Sequence, residues 1–170
     1  MAINKLSTPN GIIWRIDSTI SLSNTTTETV FVSPTIVGGA MTMFNELRYS
    51  FYFSLSTKAV VPGTVTIRLK YGTSTLTLGG GALALIGGVS NSPFVINGTI
   101  SNKGTTSSQF FEGSLTQPSG GLTLAQPINQ SFTEPAIDTT ADQTFSLTAQ
   151  FSVADAGNIL VLKRAKLELS

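Results

Sequence analysis

The chain has 170 residues, with ten Lys and Arg against nine Asp and Glu, and contains neither cysteine nor histidine. These absences exclude disulfides, thiolate chemistry, serine–histidine nucleophiles and metal sites built on Cys or His. The net charge of +1 comes from basic residues spread along the sequence, whereas a nucleic-acid-binding surface needs clustered cations, so we expect no nucleic-acid partner.

The surface is expected to be unusually neutral. Charged residues make up 11% of the chain, against about 25% in typical soluble domains. Hydroxyl residues take their place, with 24 Thr and 20 Ser. Threonine suits the outer face of a β-sheet, which is one interpretation of this composition. The other is a surface that packs against copies of itself without like-charge repulsion.

Residues 1–10 have no apolar face to bury, so they are predicted to form an N-terminal arm in front of a single domain, residues 11–170. The N-terminus lacks the apolar stretch of a secretory signal, and the chain contains no run of about 18–20 apolar residues. We therefore expect synthesis in a cytoplasm and no membrane partner. Ile12, Trp14 and Ile16 alternate with other residues, which predicts a first, weakly patterned strand.

Period-two alternation becomes clear from residue 47 onward and predicts strands with one apolar face. The predicted inward sets, in chain order, are Leu47, Tyr49, Phe51, Phe53 and Leu55; Val65, Ile67, Leu69 and Tyr71; Phe94, Ile96, Gly98 and Ile100; Phe145, Leu147, Ala149, Phe151 and Val153. The last strand is predicted to bury Ile159, Val161, Ala165, Leu167 and Leu169, with Lys163 as the exception.

Turn clusters such as Pro62-Gly63 and Asn102-Lys103-Gly104 separate these segments, and no segment has a sustained 3.6-residue period. Short strands at roughly 8–12-residue spacing, each with one polar face, are typical of two packed antiparallel sheets. The predicted fold is all-β, an antiparallel, jelly-roll-like β-sandwich with helices short or absent.

Carboxylates are the remaining reactive groups. A glycosidase needs two of them a few ångströms apart across a cleft, and a sequence does not show such a pairing. Asp138 and Asp142 form the one close acidic pair in a predicted turn. We interpret them as turn-forming residues that accept hydrogen bonds from nearby backbone. The alternatives are a catalytic site and a calcium site, but calcium needs about six to eight oxygens, and no loop in the sequence supplies them. No catalytic residue, metal or cofactor is predicted.

Four residues are candidates for a partner interface. Tyr52 lies on the polar side of its predicted strand, and exposed aromatic residues occur in protein interfaces and in sugar-stacking sites. Trp14 is the only tryptophan, and Ile3 and Leu6 are the branched aliphatic residues of the predicted arm.

Two long stretches, residues 47–76 and 136–169, together carry a family resemblance. The second contains Asp138-Thr139-Thr140-Ala141, then Leu147-Thr148-Ala149-Gln150-Phe151, then Asn158-Ile159. This order resembles a family of small β-rich virion proteins of tailed bacteriophages and prophages. The resemblance covers roughly residues 44–170. It implies a jelly-roll-like domain, a homotrimer, and a location in the virion after assembly in the host cytoplasm.

The resemblance brings no catalytic residues, so the expected function is structural rather than enzymatic. The main hypothesis is a capsid decoration (cement) or head-fibre subunit, whose partners would be copies of itself and the major capsid protein or another virion protein. The alternative is a receptor- or carbohydrate-binding module of a tail fibre or other tail appendage. A carboxylate glycosidase is a third hypothesis.

Overall fold

The computed structural model describes residues 11–117, 120–123 and 128–170. The predicted N-terminal arm, with Ile3 and Leu6, lies outside these residues. The described chain contains strands and a single 3₁₀ turn at Leu78–Gly80, which confirms the predicted all-β fold. The strands are β1 (Gly11–Ile16), β2 (Ile20–Ser23), β3 (Thr29–Val32), β4 (Thr35–Ile36), β5 (Glu46–Ser56), β6 (Thr64–Tyr71), β7 (Ser74–Thr77), β8 (Leu83–Leu85), β9 (Ser92–Thr105), β10 (Ser108–Thr116), β11 (Leu122–Thr123), β12 (Ile128–Thr133), β13 (Gln143–Phe151) and β14 (Ile159–Leu169).

The strands form two antiparallel sheets. The first has the order β1-β14-β5-β9-β10-β12, with β2 also paired to β14. The second has the order β11-β8-β6-β13-β3, with β4 on β13 and β7 on β6. The chain crosses from one sheet to the other after β2, β4, β5, β8, β10, β11, β12 and β13. These crossings give the jelly-roll-like antiparallel sandwich that the alternation predicts.

The core lies between the sheets and contains most of the residues that the alternation assigned to it. All five inward residues of β5 are buried, as are all four of β6. Strand β13 buries Phe145, Leu147, Ala149 and Phe151 but ends there, so Val153 lies beyond the strand and is half-buried. Because each sheet contributes one apolar face, the other face of each is left for polar residues.

The last strand corrects one prediction. Leu160 and Leu162 are buried in β14, whereas Ile159 and Val161 are half-buried. The pairing of β14 with β5 shifts between Leu162 and Arg164, so Lys163 is an extra residue in the ladder. Such a β-bulge shifts the alternation by one residue. The buried positions of β14 are therefore even-numbered before the bulge and odd-numbered after it. Beyond it Ala165, Leu167 and Leu169 are buried as predicted.

Two glycines that pair across neighbouring strands leave space for a buried tyrosine against the first sheet. Gly98 of β9 pairs with Gly113 of β10, and Tyr49 of β5 pairs with Gly98 on the other side. The Tyr49 ring passes under both glycines, and its hydroxyl donates a hydrogen bond to the main-chain oxygen of Glu112. A Cβ on Gly98 would overlap both that oxygen and the Tyr49 hydroxyl. Glycine is therefore required here by close packing rather than by an unusual backbone angle.

We predict that Gly98→Ala destabilises the fold by about 1–3 kcal/mol, because the added methyl group collides with backbone as well as with a buried side chain. Thermal unfolding followed by circular dichroism measures the change. Gly120→Ala is the matched control, since the nearest atom to its Cβ would be 3.8 Å away. Equal melting temperatures for the two variants would contradict this account of the glycine pair.

Candidate functional site

The outer face of β9, β10 and β12 carries a depression of about 260 Å³. We call it the outer-face site, and it is lined by Asn97, Gly98, Phe110, Glu112, Gly113, Ser114, Gln130, Ser131 and Phe132. Phe110, Glu112 and Ser114 of β10, and Gln130 and Phe132 of β12, are alternate residues of their strands, so their side chains point to the same face. The site therefore results from the sheet itself and not from a long loop.

Two phenylalanines form an aromatic surface at one side of the outer-face site. Phe132 is 69% exposed, and its ring stacks on that of Phe110 with centroids 5.7 Å apart and planes 24° apart. Phe132 pairs directly with Glu112, so Phe110 is its diagonal neighbour across the ladder, at a distance that aromatic side chains bridge. The pair is stabilised by this stacking, yet most of the Phe132 ring still faces solvent.

Polar side chains continue the site in two rows across the strands. Asn97 pairs with Ser114, and Ser114 pairs with Gln130, which gives one row. Thr99 pairs with Glu112, and Glu112 pairs with Phe132, which gives the next. Neighbouring strands lie about 4.8 Å apart, so the first row offers a polar group at each of three strands over roughly 10 Å. The second row offers Thr99 and Glu112 and ends at the Phe132 ring.

The carboxylate of Glu112 is oriented by its neighbour. The Thr99 hydroxyl donates a hydrogen bond to Glu112 Oε1 at 3.2 Å, and the Glu112 side chain is otherwise exposed. Among the described residues, the structure gives the side-chain amides of Asn97 and Gln130 no hydrogen-bond partner. The site thus presents a carboxylate acceptor and two amides, each with donors and an acceptor, beside an exposed ring.

The floor of the site is held from inside the core. Burial, and to a lesser degree the Glu112 carboxylate, raise the pKa of Tyr49 well above its ordinary value, so its hydroxyl stays protonated. That hydroxyl remains a donor to the Glu112 main-chain oxygen at any physiological pH. The backbone beneath Glu112 is therefore fixed before any ligand arrives.

The residues predicted as interface candidates occupy different places. Tyr52 is 41% exposed on the outer face of the first sheet, as its position in the alternation indicates, and Arg164 lies over its ring at 5.8 Å. Its role in a partner interface stays a prediction. Trp14 is only 7% exposed and packs in the core, so little of its ring is available to a partner. Neither residue lines the outer-face site.

The acidic pair does what the turn interpretation expects. Asp138 accepts hydrogen bonds from the Thr140 hydroxyl at 2.6 Å and from the Thr140 backbone N–H at 2.9 Å. These bonds, the hydroxyl first, hold the pKa of Asp138 below its ordinary value. Asp142 accepts the backbone N–H of Gly38 at 2.8 Å, which ties the turn to a distant loop. The described ranges contain no group of three or more Asp or Glu arranged to hold a metal.

Sequence reasoning did not identify Phe110 and Phe132, although one signal for them exists. Phe110 and Phe111 are adjacent in β10, and adjacent residues of a strand point to opposite faces. One ring of such a pair must therefore face outward in a sheet whose other face is the core. Phe111 is buried, and Phe110 is the outward ring.

No family model and no curated protein matches the sequence. Among solved structures, the CBM2 module of the evolved Dit of Lactobacillus casei BL23 phage J-1 is similar over 95% of this chain and 79% of its own, with 10% identity and a TM-score of 0.43. Peanut lectin is similar over 99% of this chain and 84% of its own, with 9% identity and a TM-score of 0.42. Lectin I of Ulex europaeus is similar over 74% and 72%, with 9% identity and a TM-score of 0.40.

These similarities are too distant for a function to be transferred from any of the three proteins. Among residues 11–117, 120–123 and 128–170, no helix has the length and hydropathy needed to cross a bilayer.

We predict that a chelator does not change the melting temperature, because the turn at Asp138 and Asp142 is closed by backbone and hydroxyl donors. Thermal unfolding with and without EDTA measures this. A decrease of several degrees, restored by added calcium, would show that the turn interpretation of these aspartates is wrong.

Proposed function

We propose that this protein is a non-catalytic carbohydrate-binding module that acts as a receptor-binding part of a bacteriophage virion. One observation carries the proposal. An exposed phenylalanine, stacked on a second ring, adjoins a carboxylate and two side-chain amides within one depression on a sheet face.

The chemistry of a sugar matches this arrangement. A pyranose ring has a face of C–H groups, which packs on an aromatic ring, and a rim of hydroxyls, each a donor and an acceptor. Phe132 offers the ring surface, and Glu112, Asn97 and Gln130 offer acceptors and donors at strand spacing. Small-molecule sites combine apolar surface and a few placed polar groups in this way.

The same geometry argues against glycoside hydrolysis at this site. Hydrolysis by the usual mechanism needs two carboxyl groups about 5–9.5 Å apart, and Glu112 is the only carboxylate among the lining residues. We therefore propose binding without turnover.

The virion location is supported by the resemblance of residues 44–170 to phage virion proteins, which the antiparallel sandwich fits. The capsid decoration (cement) or head-fibre function remains a prediction that the described residues do not test. An appendage module and a decoration subunit differ in where antibodies bind the intact particle. Immunogold labelling at the tail supports the receptor-binding module, and even labelling of the head supports the decoration subunit.

We also propose a homotrimer, on the basis of the low charge and the family resemblance. Several copies would present several weak sugar sites to one cell surface, where linked binding events raise the overall affinity. We predict a mass about three times the 17.9 kDa of one chain by light scattering at micromolar concentration. A mass that stays at one chain under these conditions would exclude the trimer.

We predict that Phe132→Ala weakens carbohydrate binding at least tenfold, because it removes the exposed stacking surface while leaving the core intact. A glycan array of neutral bacterial cell-wall sugars, followed by calorimetry on those that bind, measures the loss. Val60→Ala is the matched control, since Val60 is also largely exposed but lies in the loop after β5, away from the site.

Two variants separate the parts of the site. Glu112→Gln keeps the shape of the side chain but replaces a charged acceptor with an amide, so we expect weaker binding without loss of stability. Binding that is unchanged in both Phe132→Ala and Glu112→Gln would rule out the outer-face site, even if the protein bound a sugar elsewhere.

A further inference from the structure

We infer that the ligand is an oligosaccharide or polysaccharide chain that crosses four strands, from Phe132 on β12 to Phe44 beside β5. This inference rests on the proposed function and names the class of ligand for the same face. Its basis is a second depression, one of whose lining residues, Ser101, pairs with Phe110 of the outer-face site across neighbouring strands.

The second depression has a volume of about 390 Å³ and lies at the start of β5. We call it the Phe44 site, and its lining includes Met43, Phe44, Glu46, Arg48, Ser101 and Asn102. Phe44 is 94% exposed, the largest exposure among the large apolar residues of the described chain. A ring this exposed does not pack on the core. Packing within the protein therefore does not explain why a phenylalanine occupies this position.

Strand register places the two sites side by side. Arg48 of β5 pairs with Thr99 of β9, Thr99 pairs with Glu112 of β10, and Glu112 pairs with Phe132 of β12. The next row runs in parallel from Glu46 through Ser101 to Phe110. Every residue of both rows is on the outer face, because paired residues of neighbouring strands share a face.

The distance between the two aromatic ends favours a chain over a single sugar. Strands β12 and β5 are three strand spacings apart, which is roughly 14 Å at about 4.8 Å each. This is several times the width of one sugar ring. One ring on Phe132 therefore leaves the polar groups of Thr99, Arg48 and Ser101 for the rings that follow it.

The loop that presents Phe44 is held in place before a ligand binds. The Asn102 side-chain amide of β9 donates hydrogen bonds to the main-chain oxygens of Met41 and Thr42, at 3.1 and 3.2 Å. Asn45 accepts the Thr42 backbone N–H at 2.6 Å and donates to the Ala40 carbonyl at 3.0 Å. A preordered loop loses less conformational entropy on binding, so an exposed ring on it is an effective contact.

Charges along the path point to a neutral chain. The Arg48 guanidinium is paired with Glu46, with Nε and Oε1 2.5 Å apart, and Glu112 is oriented by Thr99. A carboxylate near the Phe132 end repels an acidic sugar there, while the paired Arg48 has its charge largely balanced. Neutral hexose units avoid both effects.

Calorimetry with size-fractionated oligomers of one to six hexose units, prepared from dextran, cellulose and galactan, tests the inference on the full chain. For the polymer type that binds, we expect affinity to rise at least tenfold between one and four units. Phe44→Ala is expected to cancel this gain for the longer oligomers and to leave the affinity for one unit unchanged. Phe132→Ala is expected to weaken oligomers of every length, and Val60→Ala none.

The outcomes separate this inference from the proposed function. If one unit binds as tightly as six, or if Phe44→Ala leaves the six-unit affinity unchanged, the path across four strands is wrong while the carbohydrate site remains. If no oligomer of any length binds the unaltered protein, carbohydrate binding itself is overturned and the extended path with it. Because Phe44 is almost fully exposed, a folding defect is not expected in its variant, and an unchanged circular dichroism spectrum is the check.

Discussion

The contact between the Tyr49 hydroxyl and the main-chain oxygen of Glu112 connects the core of this protein to its outer surface. The tyrosine reaches that oxygen because Gly98 and Gly113, paired across β9 and β10, leave room for its ring. A hydroxyl buried at this depth is costly without a hydrogen-bond partner, so the backbone under Glu112 is constrained to supply one. Because this backbone is held, the outward-pointing side chain of Glu112 also starts from a fixed position.

The aromatic residues packed around Tyr49 explain why its hydroxyl is held rigidly in place. Tyr49 stacks on Phe51 with centroids 5.5 Å apart, contacts Phe145 of the opposite sheet at 5.2 Å, and meets Phe111 edge-on at 6.4 Å. Rings from both sheets thus hold the tyrosine from several directions, and dense packing resists its displacement. The outer-face site is consequently built on a rigid sheet, which is a favourable support for a binding surface made of short side chains.

Much of this fold follows from local pattern, and the exceptions have identifiable causes. The alternation in β5 and β6 fixes which residues are buried, because a one-residue slip would expose the whole apolar set. The same reasoning fails in β14, where the extra Lys163 shifts the alternation by one residue. Leu160 and Leu162 are buried there, whereas the pattern predicted Ile159 and Val161. A bulge depends on pairing with a neighbouring strand, so its position is not encoded in the period of a single segment.

The site was harder to predict than the fold for a related reason. Phe132 and Glu112 become neighbours only when β10 pairs with β12, and Phe44 joins them only through β5 and β9. The adjacent pair Phe110-Phe111 carries a local signal, since one ring must face outward, but it does not say what that ring meets. Tyr52 was visible from alternation alone, yet its neighbour across the ladder is Arg164, so its ring is in contact with a cation.

The proposed ligand path on an open sheet face would have a consequence for affinity. Such a surface buries one side of a ligand, whereas a pocket surrounds it, so each sugar ring contributes modestly and several rings are needed. A chain of units supplies those contacts along one molecule, and an oligomer supplies them again between molecules. The neutral, hydroxyl-rich surface fits this mode of binding, because it neither repels a neutral polymer nor repels the neighbouring copies that bind the same polymer. In the proposed trimer, weak contacts at each ring, repeated along a chain and across subunits, would give a reversible attachment in which individual contacts exchange while the protein remains bound.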